Sequence, residues 1–250
     1  KIGFNGNEWG FTKGRINGFQ AGGPNAFGGL IACLGVYCIS DLSGIKRNIV
    51  IVLAVFGCFF TFSRASLIVL FVFSFFYFLY IKNYYSIVIL FLSLIFTLFF
   101  GLADRFSSEL ETEGIQDRVQ MQQATFTNIN ERNVIENLFG YGFGNYGVVR
   151  DTVQNIDDFD QSVRPTGPHN SFLFVVLNYG FVGLFLFLNI FLSEFSSFLK
   201  NIKTNITSPR YLFLGSFIAL SFTGDFIQNH SISVLFFLTL FISGSVLSEQ

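Results

Sequence analysis

Apolar residues arrive in long blocks, with neither the strict alternation of a surface strand nor the narrow stripe of a soluble helix. Seven blocks approach the length that a membrane-spanning helix needs, about 20 residues for a hydrocarbon core of about 30 Å. They run over roughly residues 24–40, 48–63, 65–81, 86–102, 170–192, 211–226 and 231–247. The pattern predicts an all-α integral membrane protein of about seven transmembrane helices. Four spans fall in 1–102, after an outer loop, and three in 169–250. Between them, residues 103–168 form the one large hydrophilic segment, expected to be an extracytoplasmic loop. That loop has structure of its own. Ile115, Val119, Phe126 and Ile129 fall on one face of a helix over 115–129, which suits a helix lying along a membrane surface. Gly140, Gly142, Gly144 and Gly147 then signal tight turns, and residues 151–168, with Pro165 and Pro168, read as irregular.

Composition agrees with this division. Hydrophobic residues make up 51% of the chain and charged residues 12%, with 37 phenylalanines. A soluble domain carries about twice that charge. The net charge of −1 gives no reason to expect nucleic acid, but its distribution is uneven. Eleven of the 16 acids lie in 103–168 against five arginines and no lysine, a net of −6. In the short loops, Lys46 and Arg47, then Lys82, then Lys200, Lys203 and Arg210 share one side if the spans simply alternate. That side is expected to be the cytoplasm. The Ser63–Ser66 turn, the acidic segment and the Asp225–Ser231 turn then face outward, as do Lys1, Lys13 and Arg15, a minor exception. Cys33, Cys38 and Cys58 lie in apolar runs and read as buried small hydrophobes. The chain opens on Lys1 and has Met121 as its only methionine, so it is expected to be a fragment lacking its N-terminal part.

A few residues carry possible chemistry. Gly142-Phe-Gly144-Asn-Tyr-Gly147 matches a dinucleotide fingerprint in letters only. The acidic stretch after it is unlike a packed crossover helix, so a turn is the better reading. His169-Asn170 sits where the loop enters the fifth span, after Pro168. Asn170 suits a helix cap, which leaves His169 either an interfacial side chain or a proton-transfer residue at the membrane surface. A helix N-terminus favours the neutral imidazole that a base needs. Arg64, in Thr-Phe-Ser-Arg-Ala-Ser, stands between two apolar spans and either snorkels to the outer interface or meets an anion. Arg118 lies on the amphipathic helix, and Arg105, Arg132, Arg150 and Arg164 are scattered through the acidic segment; most are expected to pair with surface carboxylates, and one or two to suit bidentate binding of phosphate, with nothing in composition to choose which. His169, Asp225 and His230 match no ordinary metal-ligand spacing, and no metal or cofactor is expected.

Five stretches, in this order, carry a resemblance to a known family. They are RINGFQAGGPN at 15–25, FSRAS at 62–66, DRVQMQQATFTNI leading into GYGFGNYG at 117–147, PHNSFLFVVLNYGFVGLFLF at 168–187, and the final pair of spans. The chain resembles the O-antigen ligase and O-antigen polymerase superfamily of bacterial membrane glycosyltransferases, here its C-terminal portion. Asn178 departs from the pattern, which commonly has an acid there. The resemblance implies a transmembrane glycosyltransferase of GT-C-like architecture in the bacterial inner membrane, its site facing the periplasm. It implies metal-independent, inverting transfer of a glycan from undecaprenyl pyrophosphate to an acceptor, either lipid A–core or a growing glycan. The matching positions are His169 as base or acceptor-orienting residue and Arg64 and Arg118 on the pyrophosphate, with Asn170 and Arg15 in support. No residue separates ligase from polymerase. A transporter or permease without catalysis is the alternative; it would favour internal repeats and broken helices near the bilayer midplane, and the chain has no repeat.

The topology is testable by itself. Cysteine introduced at Ser162 is expected to react with an impermeant thiol reagent in intact spheroplasts. Labelling only after lysis would reverse the orientation.

Overall fold

The computed structural model describes residues 11–12, 15–16, 23–61, 63–97, 99, 113–142, 168–200, 202–224, 233–234 and 236–239. Apart from one two-residue ladder, the described residues form helices joined by short turns. Strand β1 (Phe11–Thr12) pairs antiparallel with β2 (Arg15–Ile16), Thr12 facing Arg15. Nine helices follow among the described residues: α1 (Gly23–Asp41), α2 (Gly44–Thr61), α3 (Arg64–Tyr80), α4 (Tyr84–Thr97), α5 (Glu113–Glu131), α6 (Val134–Phe139), α7 (Ser171–Lys200), α8 (Ile202–Asn205) and α9 (Pro209–Ser221).

Two of them, α2 and α7, are long and apolar enough to cross a membrane, and Asn25–Asp41 of α1, with α3 and α4, are shorter apolar stretches. The ends explain themselves. The sequence places the fifth span at 170–192, yet α7 runs on to Lys200. No glycine or proline stands between Ser193 and Ser208, so nothing stops the helix where its apolar stretch ends. The fourth and sixth predicted spans are helical over Tyr84–Thr97 and Pro209–Ser221, the latter passing into a turn at 222–224. Of the seventh, only helical residues 233–234 and 236–239 are described. The Gly144 and Gly147 turns, the loop at 151–167 and the Asp225–Ser231 turn lie outside the described residues, as do Arg105, Arg150 and Arg164.

The chain divides into two compact units. The first comprises Lys1–Phe106, Phe198–Leu220 and Phe226–Gln250; the second, Ser107–Ser197 and Ser221–Asp225. In the first, α1 packs on α2 and α3, and α2 packs on α4. Small residues set the distance. A Cβ on Gly35 would come within 2.9 Å of the Ala54 Cβ, and one on Gly28 within 2.6 Å of the Thr61 Oγ1. Close approach through small side chains is the usual solution where helices gain little from apolar burial against each other. Cys33 and Cys58 are buried in this unit, Cys58 with its thiol toward the Gly28 carbonyl.

In the second unit α5 is helical over the stretch that its periodicity predicts. Val119 and Phe126, on the apolar face, are 46% and 53% exposed. The buried face is the opposite one, with Met121, Ala124, Thr125 and Asn128 followed by Arg132. Asn133 then starts α6 with a capping box: its side chain accepts from the Glu136 N–H, and the Glu136 carboxylate accepts from the Asn133 N–H.

In the second unit α6 meets a break in α7 at close range. Gly180 leaves helical geometry (φ 66°, ψ −167°), and Gly140, which ends α6, has φ 74° and ψ −174°. The two backbones touch. A Cβ on Gly140 would lie 2.4 Å from the Asn178 carbonyl carbon, and one on Gly180 would lie 2.3 Å from the Leu138 carbonyl carbon. Both positions therefore need glycine twice over, for the left-handed φ and for the space. Gly140→Ala and Gly180→Ala are each expected to destabilise the protein by about 3 kcal/mol or more. Thermal unfolding in detergent checks this, and a melting point unchanged in either variant would refute the close crossing.

Candidate functional site

The break in α7 leaves a short leading half-helix, Ser171–Tyr179. Its N-terminus is capped by Asn170, whose Oδ1 accepts from the Phe172 and Leu173 N–H groups at 2.9 and 3.1 Å. Residues 222–224 hold the same end. Ser171 Oγ donates to the Gly224 carbonyl at 2.9 Å, and the Phe172 and Phe222 rings lie 4.8 Å apart.

His169 immediately precedes the cap. It is half-buried and takes a left-handed φ of 50°. Histidine enters that region more readily than most residues, yet the conformation costs on the order of 1–3 kcal/mol and persists only where the surroundings impose it. Here Pro168, itself buried, precedes it and the Asn170 cap follows.

At its lower end the half-helix loses regular partners, because the break at Gly180 removes the i+4 donors of Leu177 and Asn178. Other donors replace them. Tyr141 N–H donates to the Leu177 carbonyl at 3.0 Å and Gly142 N–H to the Asn178 carbonyl at 2.9 Å. Arg132 Nη1 approaches the Val176 carbonyl at 3.5 Å. The Arg132 guanidinium also donates through Nε to Asn128 Oδ1 at 3.1 Å and stacks 3.9 Å above the Tyr141 ring. The expectation that Arg132 pairs with a surface carboxylate is thus corrected. It is 7% exposed, and among the described residues its partners are an amide, a carbonyl and an aromatic ring. Its one sequence signal was spacing, four residues after Asn128 and seven after Thr125 on an otherwise polar helix face.

Arg64 belongs to the first unit and is the first residue of α3. Ser63, before it, makes no side-chain cap hydrogen bond and turns its hydroxyl to Ser66, 2.6 Å away. Thr61, Ser63 and Ser66 are all buried, and Thr61 Oγ1 donates to the Cys58 carbonyl at 2.8 Å. This hydroxyl cluster, packed against Gly28, fixes the turn that carries Arg64. A cation at a helix N-terminus adds to the positive end of the dipole, an arrangement that an anion relieves.

Arg15 lies in β2 and Arg118 in α5, and the side chains of both fall outside the described residues. Arg15 and Arg64 belong to one unit; Arg118, His169 and Asn170 belong to the other. Among the described residues, no three His, Cys, Asp or Glu side chains are grouped as a metal would need.

These features define a class first: a helical protein with apolar helices of membrane length, a long hydrophilic segment partly folded on a broken helix, and a histidine held at that helix's start. Comparison then places it. Residues 49–188, more than half of the chain, match the family described as O-Antigen ligase, and the chain belongs to that family. The matched range includes Arg64, Arg118, Arg132, the glycine crossing and His169. No curated protein and no solved structure matches the chain. Family and apolar helices together make this a membrane protein with a glycan-transfer role in polysaccharide biosynthesis.

The left-handed backbone separates two effects at His169. Alanine carries the left-handed φ strain and glycine does not, so His169→Gly is expected to be more stable than His169→Ala, by about 1 kcal/mol. Their melting points in detergent measure it; a less stable glycine variant would show that the strain is not there.

Proposed function

We propose that this chain transfers a glycan from undecaprenyl pyrophosphate to an acceptor hydroxyl at the outer face of the inner membrane, as an O-antigen ligase or a surface polysaccharide polymerase. The observation that carries the reading is His169, set in a left-handed conformation against a capped helix start in a chain of the O-antigen ligase family. The proposed architecture is about seven spans of GT-C-like type, with residues 103–168 outside. The partners are the lipid-linked glycan donor, a lipid A–core or glycan acceptor, and the surrounding lipid.

The chemistry divides between two kinds of group. The leaving group is a lipid pyrophosphate, and charge builds on it as the anomeric bond breaks. Arg64 and Arg118 would stabilise that charge with fixed guanidinium groups, so no metal is required. The placement of Arg64 at a helix N-terminus supports this role, because an anion there is favoured twice. Arg118 stands seven residues, two helical turns, before the buried Thr125. The acceptor hydroxyl is a weak nucleophile. A neutral imidazole at His169 takes its proton as the oxygen attacks the anomeric carbon, and the helix start favours that neutral form. Attack opposite the leaving pyrophosphate inverts the anomeric centre. Arg15 and Asn170 would act in support, Asn170 through the cap.

One observation leans toward a transporter. Discontinuous helices are typical of transporter sites, where loosened carbonyls bind the coupling ion. In α7 the Leu177 and Asn178 carbonyls at the break are already taken by the Tyr141 and Gly142 N–H groups. The break is therefore a structural joint, and catalysis remains the better reading.

His169→Ala is expected to lower transfer from a purified lipid-linked donor by about 10²–10⁴-fold at matched protein level. Arg64→Lys is expected to be impaired along with Arg64→Ala, because lysine keeps the charge and loses the planar fork. Wild-type turnover in His169→Ala would end the base assignment. Full activity in Arg64→Lys would reduce that arginine to a simple counter-charge.

A further inference from the structure

We propose that Arg132 is a positioning residue, which fixes the half-helix Ser171–Tyr179 and through it the ring of His169. The inference rests on the reading of His169 as proton acceptor. It begins from a cost. Arg132 is buried, and its Nη2 has no hydrogen-bond partner among the described residues. A buried donor left without a partner is unfavourable, and apolar side chains of similar volume often replace buried charges without loss of stability. Stability alone is therefore a poor reason for an arginine here. Position is a better one.

Three donors meet the lower end of the half-helix: Arg132 Nη1, Tyr141 N–H and Gly142 N–H. Two are backbone groups. Arg132 supplies the one side chain of the three, and it ties the end of α5 to the half-helix through Asn128 at one edge and Val176 at the other. Its charge lies at the helix's negative end, where a cation is favoured. The Tyr141 ring beneath it limits its sideways movement. His169 is seven residues from Val176, about 10 Å along the axis. A tilt of about 6° over that length moves the imidazole by about 1 Å. Displacements of that size cost catalysis about 10²-fold.

The test is a double-mutant cycle on the full chain in detergent or nanodiscs. Single-turnover transfer is followed from a purified undecaprenyl-pyrophosphate-linked glycan. Arg132→Gln is expected to lower the transfer rate by about 10²-fold with the donor KM unchanged, Arg132→Lys less, and Tyr141→Leu by a smaller factor in the same direction. With His169→Ala already present, Arg132→Gln and Tyr141→Leu are expected to have no further effect, since there is no imidazole left to misplace. A merely structural role would lower the rate by the same factor in both backgrounds, and that result overturns the proposal while leaving His169 as base. A raised donor KM with an unchanged rate overturns it too, making Arg132 a substrate contact. Wild-type turnover in His169→Ala alone would remove the reading of His169, and with it the reason for positioning. Should Arg132→Gln fail to insert, Arg132→Lys and Tyr141→Leu carry the cycle.

Discussion

An apolar surrounding tolerates no unpaired backbone group, and the second unit is built around that constraint. A single carbonyl or N–H left without a partner away from water costs several kcal/mol. An unbroken helix avoids the problem by pairing every group within itself. Helix α7 does not, because Gly180 interrupts it nine residues after its start. The chain must then bring donors from elsewhere. It brings them from Tyr141 and Gly142, some 36 residues upstream, as two N–H groups, and the Arg132 guanidinium lies beside them on the Val176 carbonyl. The glycines at 140 and 180 make this possible, for only without side chains do the two backbones come close enough. The break, the glycine crossing and the buried arginine are parts of one solution.

The first unit meets a different need. Its apolar helices gain little by burying greasy surface against one another where the alternative is lipid. Gly28, Gly35 and Ala54 let α1 approach its neighbours, and hydroxyls at Thr61, Ser63 and Ser66 fill the tight end with short hydrogen bonds. At the other end of α1, Arg47 Nε donates to the Leu42 carbonyl, and Tyr77 Oη donates to that of Ser40. Polar side chains thus stand at the helix ends, where orphan carbonyls and N–H groups are found. Arg64, like Arg47 in the first turn of α2, adds charge to a helix end that is already positive.

Much of this was legible in the sequence, because membrane helices announce themselves as blocks and amphipathic helices by period. The apolar blocks located α1 to α4, and the 115–129 periodicity located α5 to within two residues at each end. Gly140 and Gly142 as turn glycines and the Asn170 cap were legible as residue types with fixed local uses. What stayed hidden depends on distant partners. Gly180 lies in an apolar run where a glycine is ordinary, and nothing local says that it breaks the helix. Its counterpart Gly140 reads as one turn glycine among four. Arg132 sits in an acidic segment, where a surface ion pair is the natural expectation, and only the folding of α5 against α7 buries it. The overshoot of α7 to Lys200 has a related cause. Hydropathy marks where a helix leaves lipid, whereas backbone chemistry decides where it stops.

On the proposed chemistry, a loop-borne histidine must acquire the precision that proton transfer needs. A base must stay within hydrogen-bond reach of its proton, a tolerance of a few tenths of an ångström. A residue at the end of a long hydrophilic segment would ordinarily not meet it. His169 is spared that freedom from both sides. Its own backbone is left-handed, between the buried Pro168 and the Asn170 cap. The half-helix that follows is tied at its top to residues 222–224 and at its base to residues 132–142. The break at Gly180 makes the arrangement possible, since a short rod fixed at both ends is decoupled from the remainder of α7. On the proposed chemistry, tilting of the long helix in a membrane would leave the histidine in register with the segment that also carries Arg118. That is a physical reason for a membrane enzyme to break a helix just below its catalytic end.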